Sequence, residues 1–391
     1  MTISQAVQYL LDLLPIQGPP AKESRVAAEI KNKLMAMGVS SDHIHHDQAQ
    51  TQSEYGGEVG NLIVQFSGRI DESRLMFSTH MDTVPNAVGC QPHLDEVNQR
   101  IINEAEETAL GGDNRLGCAA LLNLARELIV LNGDHPPVTL VFFIQEEVGL
   151  VGARGLDLSL LGDAVPTMCI NLDGGRSDQI VTAVIGTERF TIDLTGIPAH
   201  GGYPDNGVST AIIQAKAIAE LEQQGWHGRI KKPDGEGTAN VGIVQGGQGS
   251  NVVMPSLHIL AEARSHDTNF RRKIIATWQQ AFEQAVQDTV NPNGQTGSVS
   301  FGSGPTYDAF ALADDAPVVE AVLQAAKQCG IEASLVSNDG GMDANWIVAH
   351  GIPAVTIGVG QRQVHTTEEW IDLPDFEQAC QLIIAVAKNA G

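Results

Sequence analysis

The pattern of hydrophobic and polar residues divides the chain into an outer and a middle region. In the outer region, up to about residue 185 and again from about Pro305, uninterrupted apolar segments such as "LMFS" and "VTLVFFI" alternate with segments of helical periodicity. Strands without polar alternation, separated by helices, are typical of a largely parallel sheet that helices cover on both faces. The sequence therefore predicts an α/β fold with a mostly parallel sheet flanked by helices.

In the middle region, from about Gly186, strands such as "ERFTIDLTGI" and "SLHILAEARSH" alternate between polar and apolar residues. The predicted strands and helices follow the order β-α-β-β-α-β, which is the ferredoxin-like arrangement. We therefore expect a discontinuous main domain of residues 1–185 and 304–391, and an inserted α+β domain of residues 186–303. The length of 391 residues supports this division, because single hydrophobic cores rarely grow that large.

The composition argues against several classes of partner. A hydrophobic content of 42% and a charged content of 18% are typical of a globular protein. The chain has 23 basic and 47 acidic residues, and its net charge of -24 disfavours binding to nucleic-acid phosphates or to anionic lipid. We expect neither nucleic acid nor a membrane as a partner.

The N-terminal segment, "MTISQAVQYLLDLLPIQGPP", has acidic and polar residues among its leucines and lacks a basic n-region. It predicts an amphipathic helix that ends before Pro15, not a signal peptide, and a second helix is predicted from Ser24, a candidate N-cap. No apolar segment has the length of a membrane-spanning helix. The five cysteines are scattered and form no CxxC pair, so reduced thiols and a cytoplasmic location are expected.

Acidic residues and histidines occur at or just after the ends of several predicted strands. A single histidine there is more often a packed or rim residue, and a Glu-Glu pair is usually solvated. However, the carboxyl ends of parallel strands meet at one edge of a sheet, so these side chains would lie together. Histidine nitrogen and carboxylate oxygen suit Zn²⁺ or a similar divalent ion. The candidates are His80, Asp82, Asp113, Glu146, Glu147, Asp173 and His365.

The number of candidate ligands suggests two metal ions. Two histidines and at least three carboxylates exceed the three protein ligands of a typical single catalytic zinc. If Asp113 bridges, each ion would have one histidine, one terminal carboxylate and a share of Asp113. One member of the pair Glu146 and Glu147 would then remain to accept the proton of a water molecule that the ions activate.

Three motifs carry a resemblance to a known family. "STHMDTVP", "GGDNRLG" and "EEVGLVGARGL" resemble S-x-H-x-D-x-V-P, G-x-D-(D/N/M)-(K/R)-x-G and E-E-x-G-x-x-G-(A/S)-x. These belong to the co-catalytic zinc exopeptidase and deacylase family of peptidase T (tripeptide aminopeptidase), carboxypeptidase G and aminoacylase. The resemblance covers essentially the whole chain and implies two divalent metal ions, zinc first, with manganese or cobalt as alternatives. It implies that His80, Asp113 and Asp173 bind one ion, and that Asp113, Glu147 and His365 bind the other.

The same resemblance implies roles for the residues around the metals. Glu146 would be the general base. Asp82 would contact the imidazole of His80 without binding the metal and so orient the ring, and Glu369 would play a similar part. The peptide bond after the bridging aspartate would be cis. It leads to Asn114, at a position where many family members have a second aspartate.

The inserted domain resembles the family lid. By this resemblance, His200 in "GIPAHGGYPDNGVSTA" helps to polarise the scissile carbonyl group, often from the partner subunit; a plain turn histidine is the alternative. A homodimer through the lid domain is therefore expected. A planar guanidinium group suits a peptide carboxylate, and the backbone N–H groups of a Gly-rich turn suit a substrate terminus. The candidate substrate-binding residues are Asn251, Arg264, Gly340, Gly341 and Asp343.

Together with this resemblance, the candidate ligands predict a dinuclear zinc metallopeptidase for short peptides. The segments "TALGGDNRLG" and "GTERFTIDLTGIPAHGG" favour a peptidase T-like aminopeptidase. A dipeptidase, a carboxypeptidase and an N-acyl-amino-acid deacylase of the same family remain alternatives. A binding protein that has lost catalysis is a remote alternative, because such a relative would be expected to lack a metal ligand or the base, and none is missing.

Overall fold

The structure is a computed structural model that describes residues 3–69 and 72–389, and these residues form two compact units. The first unit contains the residues up to Ala183, Ala311–Asn338 and those from Met342 onwards, and the second contains Val184–Phe310 and Asp339–Gly341. The second unit thus ends later than the sequence predicts, because its last strand continues to Tyr307. Gly340 and Gly341, expected in the main domain, belong to the second unit.

Nine α-helices and eighteen strands lie within the described residues. The helices are α1 (Gln5–Leu13), α2 (Ser24–Ala36), α3 (Gly112–Leu131), α4 (Val151–Arg154), α5 (Thr210–Gln223), α6 (Thr268–Gln287), α7 (Pro317–Gln328), α8 (Ala344–Ala349) and α9 (Leu373–Asn389). The strands are β1 (Ile44–His46), β2 (Leu62–Phe66), β3 (Leu75–His80), β4 (Pro92–Asp95), β5 (Arg100–Asn103), β6 (Val138–Phe143), β7 (Met168–Gly174), β8 (Gln179–Val184), β9 (Gly186–Thr195), β10 (Gly228–Lys232), β11 (Gly235–Gly246), β12 (Ser256–Ser265), β13 (Ser298–Tyr307), β14 (Phe310–Ala311), β15 (Ser334–Asn338), β16 (Ala354–Gly358), β17 (Gln361–Arg362) and β18 (Trp370–Asp372). None of the described helices meets the length and hydropathy that a bilayer-spanning helix requires.

The main sheet of the first unit has the order β1-β2-β6-β3-β7-β16-β8-β14, with β15 paired to β8. Its centre is parallel, as predicted: β3 pairs in parallel with β6 and β7, and β7 with β16. All residues of β3 and β6 are buried, which explains their uninterrupted apolar pattern. The edges are antiparallel, because β2 runs against β6 and β8 runs against β16.

A second, four-stranded sheet in the first unit has the order β17-β18-β5-β4, and its neighbouring strands are antiparallel. This sheet could not be predicted from the sequence, because its strands have only two to four residues and show no clear period. It matters for the site, since His365 and Glu369 lie in the connection between β17 and β18.

The second unit is a five-stranded antiparallel sheet with α5 and α6, in the order β10-β11-β12-β9-β13. The elements β9, α5, β11, β12, α6 and β13 follow the predicted β-α-β-β-α-β order. The edge strand β10 was not predicted, and it forms a hairpin with β11 through the turn at Pro233 and Asp234. Trp278 and Phe282 are completely buried and belong to a hydrophobic core of this unit alone.

The N-cap of α2 differs from the prediction, whereas the peptide bond after Asp113 agrees with it. The N-cap position of α2 is Glu23 and not Ser24, so the prediction of a Ser24 cap was wrong; the Ser24 hydroxyl donates a hydrogen bond to Glu58 instead. The peptide bond between Asp113 and Asn114 is cis, as the resemblance implied. Both residues have non-helical φ and ψ angles, so the first turn of α3 is interrupted where it carries Asp113.

Candidate active site

The predicted ligands gather at the carboxyl edge of the parallel strands in the first unit. Strands β3, β6 and β7 end at this edge and bring His80, the pair Glu146–Glu147 and Asp173. Asp113 comes from the interrupted first turn of α3, and His365 comes from the loop between β17 and β18. Because five separate segments contribute, the site depends on the packing of the whole unit.

Asp113 lies between the two histidines. Its Oδ1 is 3.0 Å from Nε2 of His80, and its Oδ2 is 3.3 Å from Nε2 of His365. Oδ1 of Asp173 is 3.6 Å from the same nitrogen of His80, and Oε1 of Glu147 is 2.9 Å from that of His365. One histidine and two carboxylates thus form each of two groups, and Asp113 belongs to both. Ligand atoms of His80, Asp113 and Glu147 lie within 4.8 Å of one another.

Asp82 is completely buried beneath this site and holds the backbone that carries the two glutamates. Its Oδ1 accepts a hydrogen bond from the Glu146 N–H (3.0 Å), and its Oδ2 accepts one from the Glu147 N–H (3.2 Å). The resemblance implied that its carboxylate orients the His80 imidazole. That carboxylate is 3.5 Å from Nδ1 of His80, whereas the backbone carbonyl of Asp82 is 3.0 Å away. The carboxylate therefore lies beside the His80 ring and also holds the Glu146–Glu147 turn.

Glu369 and Asn114 fix the segment around Asp113. The Glu369 carboxylate is buried and accepts hydrogen bonds from the N–H groups of Gly111 (2.7 Å) and Asp113 (3.1 Å). It thus supports the backbone of the shared aspartate rather than an imidazole ring. The Asn114 amide donates a hydrogen bond to Oδ1 of Asp173 at 3.2 Å, so an asparagine here orients a candidate ligand that a second ionised carboxylate would repel.

Sequence reasoning missed Glu23, which precedes α2 and is completely buried. Its Oε1 accepts hydrogen bonds from the N–H groups of Ala21 (3.0 Å) and Gln145 (3.1 Å). Gln145 is 122 residues away along the chain, immediately before Glu146, and has a positive φ of 51°. No local motif signals a contact over this distance, and a Glu before a helix is usually a surface residue.

The electrostatics of the site reflect an excess of buried carboxylates. Burial raises the pKa of Glu146 well above its ordinary value, and the nearby charges of Asp173 and Asp343 add to the shift. Burial also raises the pKa of Asp173 to about 6. Hydrogen bonds with carboxylates, first that of Asp113, raise the pKa of His365 to about 10. Negative charge at this site is thus only partly compensated by the two histidines.

Asp343 is a further buried acid in the first unit. Its side chain is completely buried, and neither of its oxygens has a hydrogen-bond partner in the part of the chain that the structure describes. Burial raises its pKa well above the ordinary value, and the charge of Asp173 contributes. Unpaired buried acids beside a set of histidine and carboxylate ligands fit divalent cations, which would supply the missing positive charge. The residues present therefore suit one or two such ions.

The buried position of Glu23 predicts a pH-dependent stability. Burial raises the pKa of Glu23 to about 8 from the ordinary 4.5, and the charge of Asp82 adds to the shift, while Arg115 is the nearby cation. Because the folded protein then binds this proton more tightly than the unfolded chain, the free energy of unfolding falls as the pH rises through this window. The Glu23→Gln variant has no carboxyl group to titrate at this position. Its free energy of unfolding relative to that of the wild type should therefore rise by up to a few kcal/mol from about pH 5 to about pH 8.

Chemical denaturation of the wild type and of Glu23→Gln at both pH values measures this difference. A stability difference that stays constant between the two pH values would contradict a raised pKa for Glu23.

The remaining predicted residues lie in the second unit and fall into two groups. A β-bridge pairs His200 with Val252, and the N–H of Gly201 donates to the Asn251 carbonyl at 2.7 Å, so His200 and Asn251 are neighbours. The His200 Nδ1 accepts a hydrogen bond from the Gly202 N–H, which fixes the ring. This contact leaves Nε2 as the ring nitrogen for another partner.

Arg264 forms the second group with the Asp339–Gly341 segment. Its Nε donates to Glu262 at 2.9 Å, and its Nη1 donates to the Asp339 carbonyl at 3.3 Å. Gly341 lies so close to Tyr307 that an added Cβ would be 2.0 Å from the tyrosine hydroxyl, so only glycine fits. Glu262 already neutralises part of the Arg264 charge, which weakens Arg264 as a single carboxylate anchor.

The model of peptidase family M20/M25/M40 matches residues 76–389. A crystal structure of the aminopeptidase PepT from Bacillus cereus is similar, with 30% identity, a TM-score of 0.84, and coverage of 99% of this chain and 98% of that one. A tripeptidase from Staphylococcus aureus has 26% identity and a TM-score of 0.85, with the same coverage. The uncharacterised protein YqjE from Bacillus subtilis is 30% identical over 386 residues, which is 98% of each chain.

The match extends over all the segments that build the site, from β3 to α9. The family assignment and these solved structures, together with the cluster of His80, Asp113 and Glu147, support a hydrolytic metallo-exopeptidase. From its sequence, its fold and the composition of this site, the chain belongs to peptidase family M20/M25/M40.

Proposed function

We propose that this protein is a dinuclear zinc aminopeptidase that hydrolyses tripeptides. The observation that carries the proposal is the position of Asp113, whose two oxygens face Nε2 of His80 and Nε2 of His365. One carboxylate shared by two histidine-containing groups is the arrangement that two adjacent cations require. His80, Asp113 and Asp173 would hold one ion, and Asp113, Glu147 and His365 the other.

Divalent ions in such a site polarise the substrate carbonyl group and lower the pKa of water. The chain itself supplies the proton transfers. Glu146 is the glutamate of the pair that pairs with neither histidine among the described contacts, and burial raises its pKa, which strengthens it as a proton acceptor. Its carboxylate accepts one proton from the attacking water. The O–C bond forms, and Glu146 then donates this proton to the amide nitrogen as the C–N bond breaks.

The placement of the base depends on the turn beneath it. Asp82 accepts hydrogen bonds from the N–H groups of both Glu146 and Glu147. These bonds fix the backbone of both glutamates and so the position of one carboxylate relative to the other. This fixed position matters because a small displacement of a reacting group lowers the reaction rate by a large factor. In this proposal one glutamate is a ligand and its neighbour remains free to move a proton.

The second unit is proposed to bind the substrate. His200 would donate a hydrogen bond through Nε2 to the scissile carbonyl oxygen, in its own subunit or from the partner in a homodimer. Asn251, Arg264 and the backbone of Gly340 and Gly341 would bind the end of the peptide. The similarity to the tripeptidase and to the aminopeptidase PepT supports a tripeptide with a free amino group as the substrate.

A panel of blocked peptides tests this proposal. We expect the free tripeptide tri-alanine to be hydrolysed at its first bond by the zinc-loaded protein. Acetylation of the amino group should lower kcat/KM at least about 100-fold, because an aminopeptidase selects the free, charged amine and loses its polar contacts when that amine is blocked. Faster release of the C-terminal residue, or faster hydrolysis of N-acetyl amino acids, would instead identify a carboxypeptidase or a deacylase. The Glu146→Gln protein, purified in parallel, controls for contaminating peptidases.

A further inference from the structure

The three backbone N–H groups that lead into the catalytic turn are all bound by buried carboxyl groups. Glu23 accepts a hydrogen bond from the N–H of Gln145, and Asp82 accepts hydrogen bonds from those of Glu146 and Glu147. We propose that Glu23 is a positioning residue for the Glu146–Glu147 turn and acts through the Gln145 backbone. The proposal rests on the function proposed above for these two glutamates.

Glu23 connects the segment before α2 to the segment after β6 by hydrogen bonds. One oxygen, Oε1, accepts both the Ala21 N–H (3.0 Å) and the Gln145 N–H (3.1 Å). Ala21 has a positive φ of 68° and Gln145 one of 51°, so both partners have backbone conformations that non-glycine residues rarely adopt. A tertiary contact that satisfies both N–H groups therefore helps to hold these conformations.

Other contacts keep the Gln145 turn in place without Glu23. The Gln145 side chain donates a hydrogen bond to the Gly56 carbonyl at 2.8 Å and is bound by the Ser53 hydroxyl. The Gln145 carbonyl accepts the Val151 N–H at 3.1 Å. Loss of Glu23 should therefore loosen the turn rather than unfold it. The expected consequence is a displaced Glu146, and a displacement of about 1 Å lowers rates by about 100-fold.

Only one oxygen of the buried Glu23 carboxyl group contacts the turn. The side chain has no exposed surface, and its second oxygen, Oε2, has no partner among the described residues. A single acceptor oxygen therefore makes both observed contacts, and a glutamine amide has that oxygen in the same position. The Glu23→Gln variant should keep the turn, whereas Glu23→Ala should lose both hydrogen bonds.

Asp267 provides a matched control. Like Glu23, it uses one carboxylate oxygen to accept two backbone N–H groups, those of Asn269 (2.7 Å) and Phe270 (3.2 Å). It caps α6 in the second unit, so Asp267→Ala should lower the stability of the protein without removing a contact of the catalytic turn. Comparing Glu23→Ala with Asp267→Ala separates a positioning effect from a general loss of stability.

Hydrogen exchange gives a readout that does not depend on the substrate. In the full-length zinc-loaded protein, we expect Glu23→Ala to speed exchange at least tenfold in the peptide that contains residues 144–150. Glu23→Gln and Asp267→Ala should leave that peptide within about threefold of the wild type. On tri-alanine, Glu23→Ala should lower kcat by 10- to 100-fold with KM within about threefold and an unchanged metal content. Glu23→Gln should restore kcat to within about threefold.

Unchanged exchange in Glu23→Ala, or equal acceleration in Asp267→Ala, would overturn the positioning role. A kcat loss that Glu23→Gln does not rescue would also overturn it, since the charge and not the acceptor would then matter. If the wild type hydrolyses no peptide, the proposed function fails while the exchange data still decide the role of Glu23.

Discussion

Replacement of Glu146 by glutamine is expected to lower kcat on tri-alanine by about 10²- to 10⁴-fold, the range that general-base catalysis contributes. Glutamine has the same shape but cannot accept the proton of the attacking water. The Glu146 N–H would keep its 3.0 Å hydrogen bond to Asp82, so the turn should stay in place. Because Glu146 pairs with neither histidine among the described contacts, the content of bound zinc should not change.

Steady-state kinetics and metal analysis of the same protein samples measure both parts of this prediction. Glu222→Gln is the control, since Glu222 is an exposed residue of α5 and its neutralisation should not change kcat. Turnover of Glu146→Gln within threefold of the wild type would remove Glu146 from its role as the base. A large loss of zinc would make it a ligand instead.

The Asp113→Ala variant is expected to lose both metal ions and all measurable turnover. Each histidine of the site has its Nε2 within 3.3 Å of an Asp113 oxygen, so one substitution removes a ligand from both groups. Asp113→Asn should be milder, because its carbonyl oxygen still reaches one ion, although without the negative charge. We therefore expect the zinc content to fall in the order wild type, Asp113→Asn, Asp113→Ala.

Zinc per chain after dialysis, measured by elemental analysis, tests this order. His258→Ala is the control. His258 is paired with Asp193 at 2.7 Å on the exposed surface of the second unit, and its loss should leave the zinc content unchanged. A variant Asp113→Ala that keeps one tightly bound zinc would show that Asp113 serves a single ion, and the sharing of this carboxylate would be disproved.

The central strands and the gathering of the ligands could be predicted because buried parallel strands have a strong sequence pattern. Strand β3 has six buried residues and ends at His80, and β6 ends shortly before Glu146. The carboxyl ends of such strands meet at one edge. A histidine or acid that directly follows a strand is therefore placed by the sheet itself, without any knowledge of longer contacts.

The residues that support the ligands could not be predicted in the same way. Glu23 and Glu369 act through backbone N–H groups 122 and 258 residues away, and such contacts leave no periodic trace in the sequence. The sequence predicts a contact between Asp82 and the His80 imidazole, but it does not predict that the same carboxylate accepts hydrogen bonds from two N–H groups of the glutamate turn. The strands β17 and β18, which carry the His365 loop between them, are too short for a recognisable pattern.

The most direct test of the account is a crystal structure of the zinc-loaded protein with an anomalous map recorded at the zinc edge. We predict two peaks in each chain. One peak should lie within about 2.0–2.3 Å of ligand atoms of His80, Asp113 and Asp173, and the other at that distance from Asp113, Glu147 and His365. Glu146 should bind neither ion. A single peak, or a zinc bound by Glu146 in place of Glu147, would contradict the account.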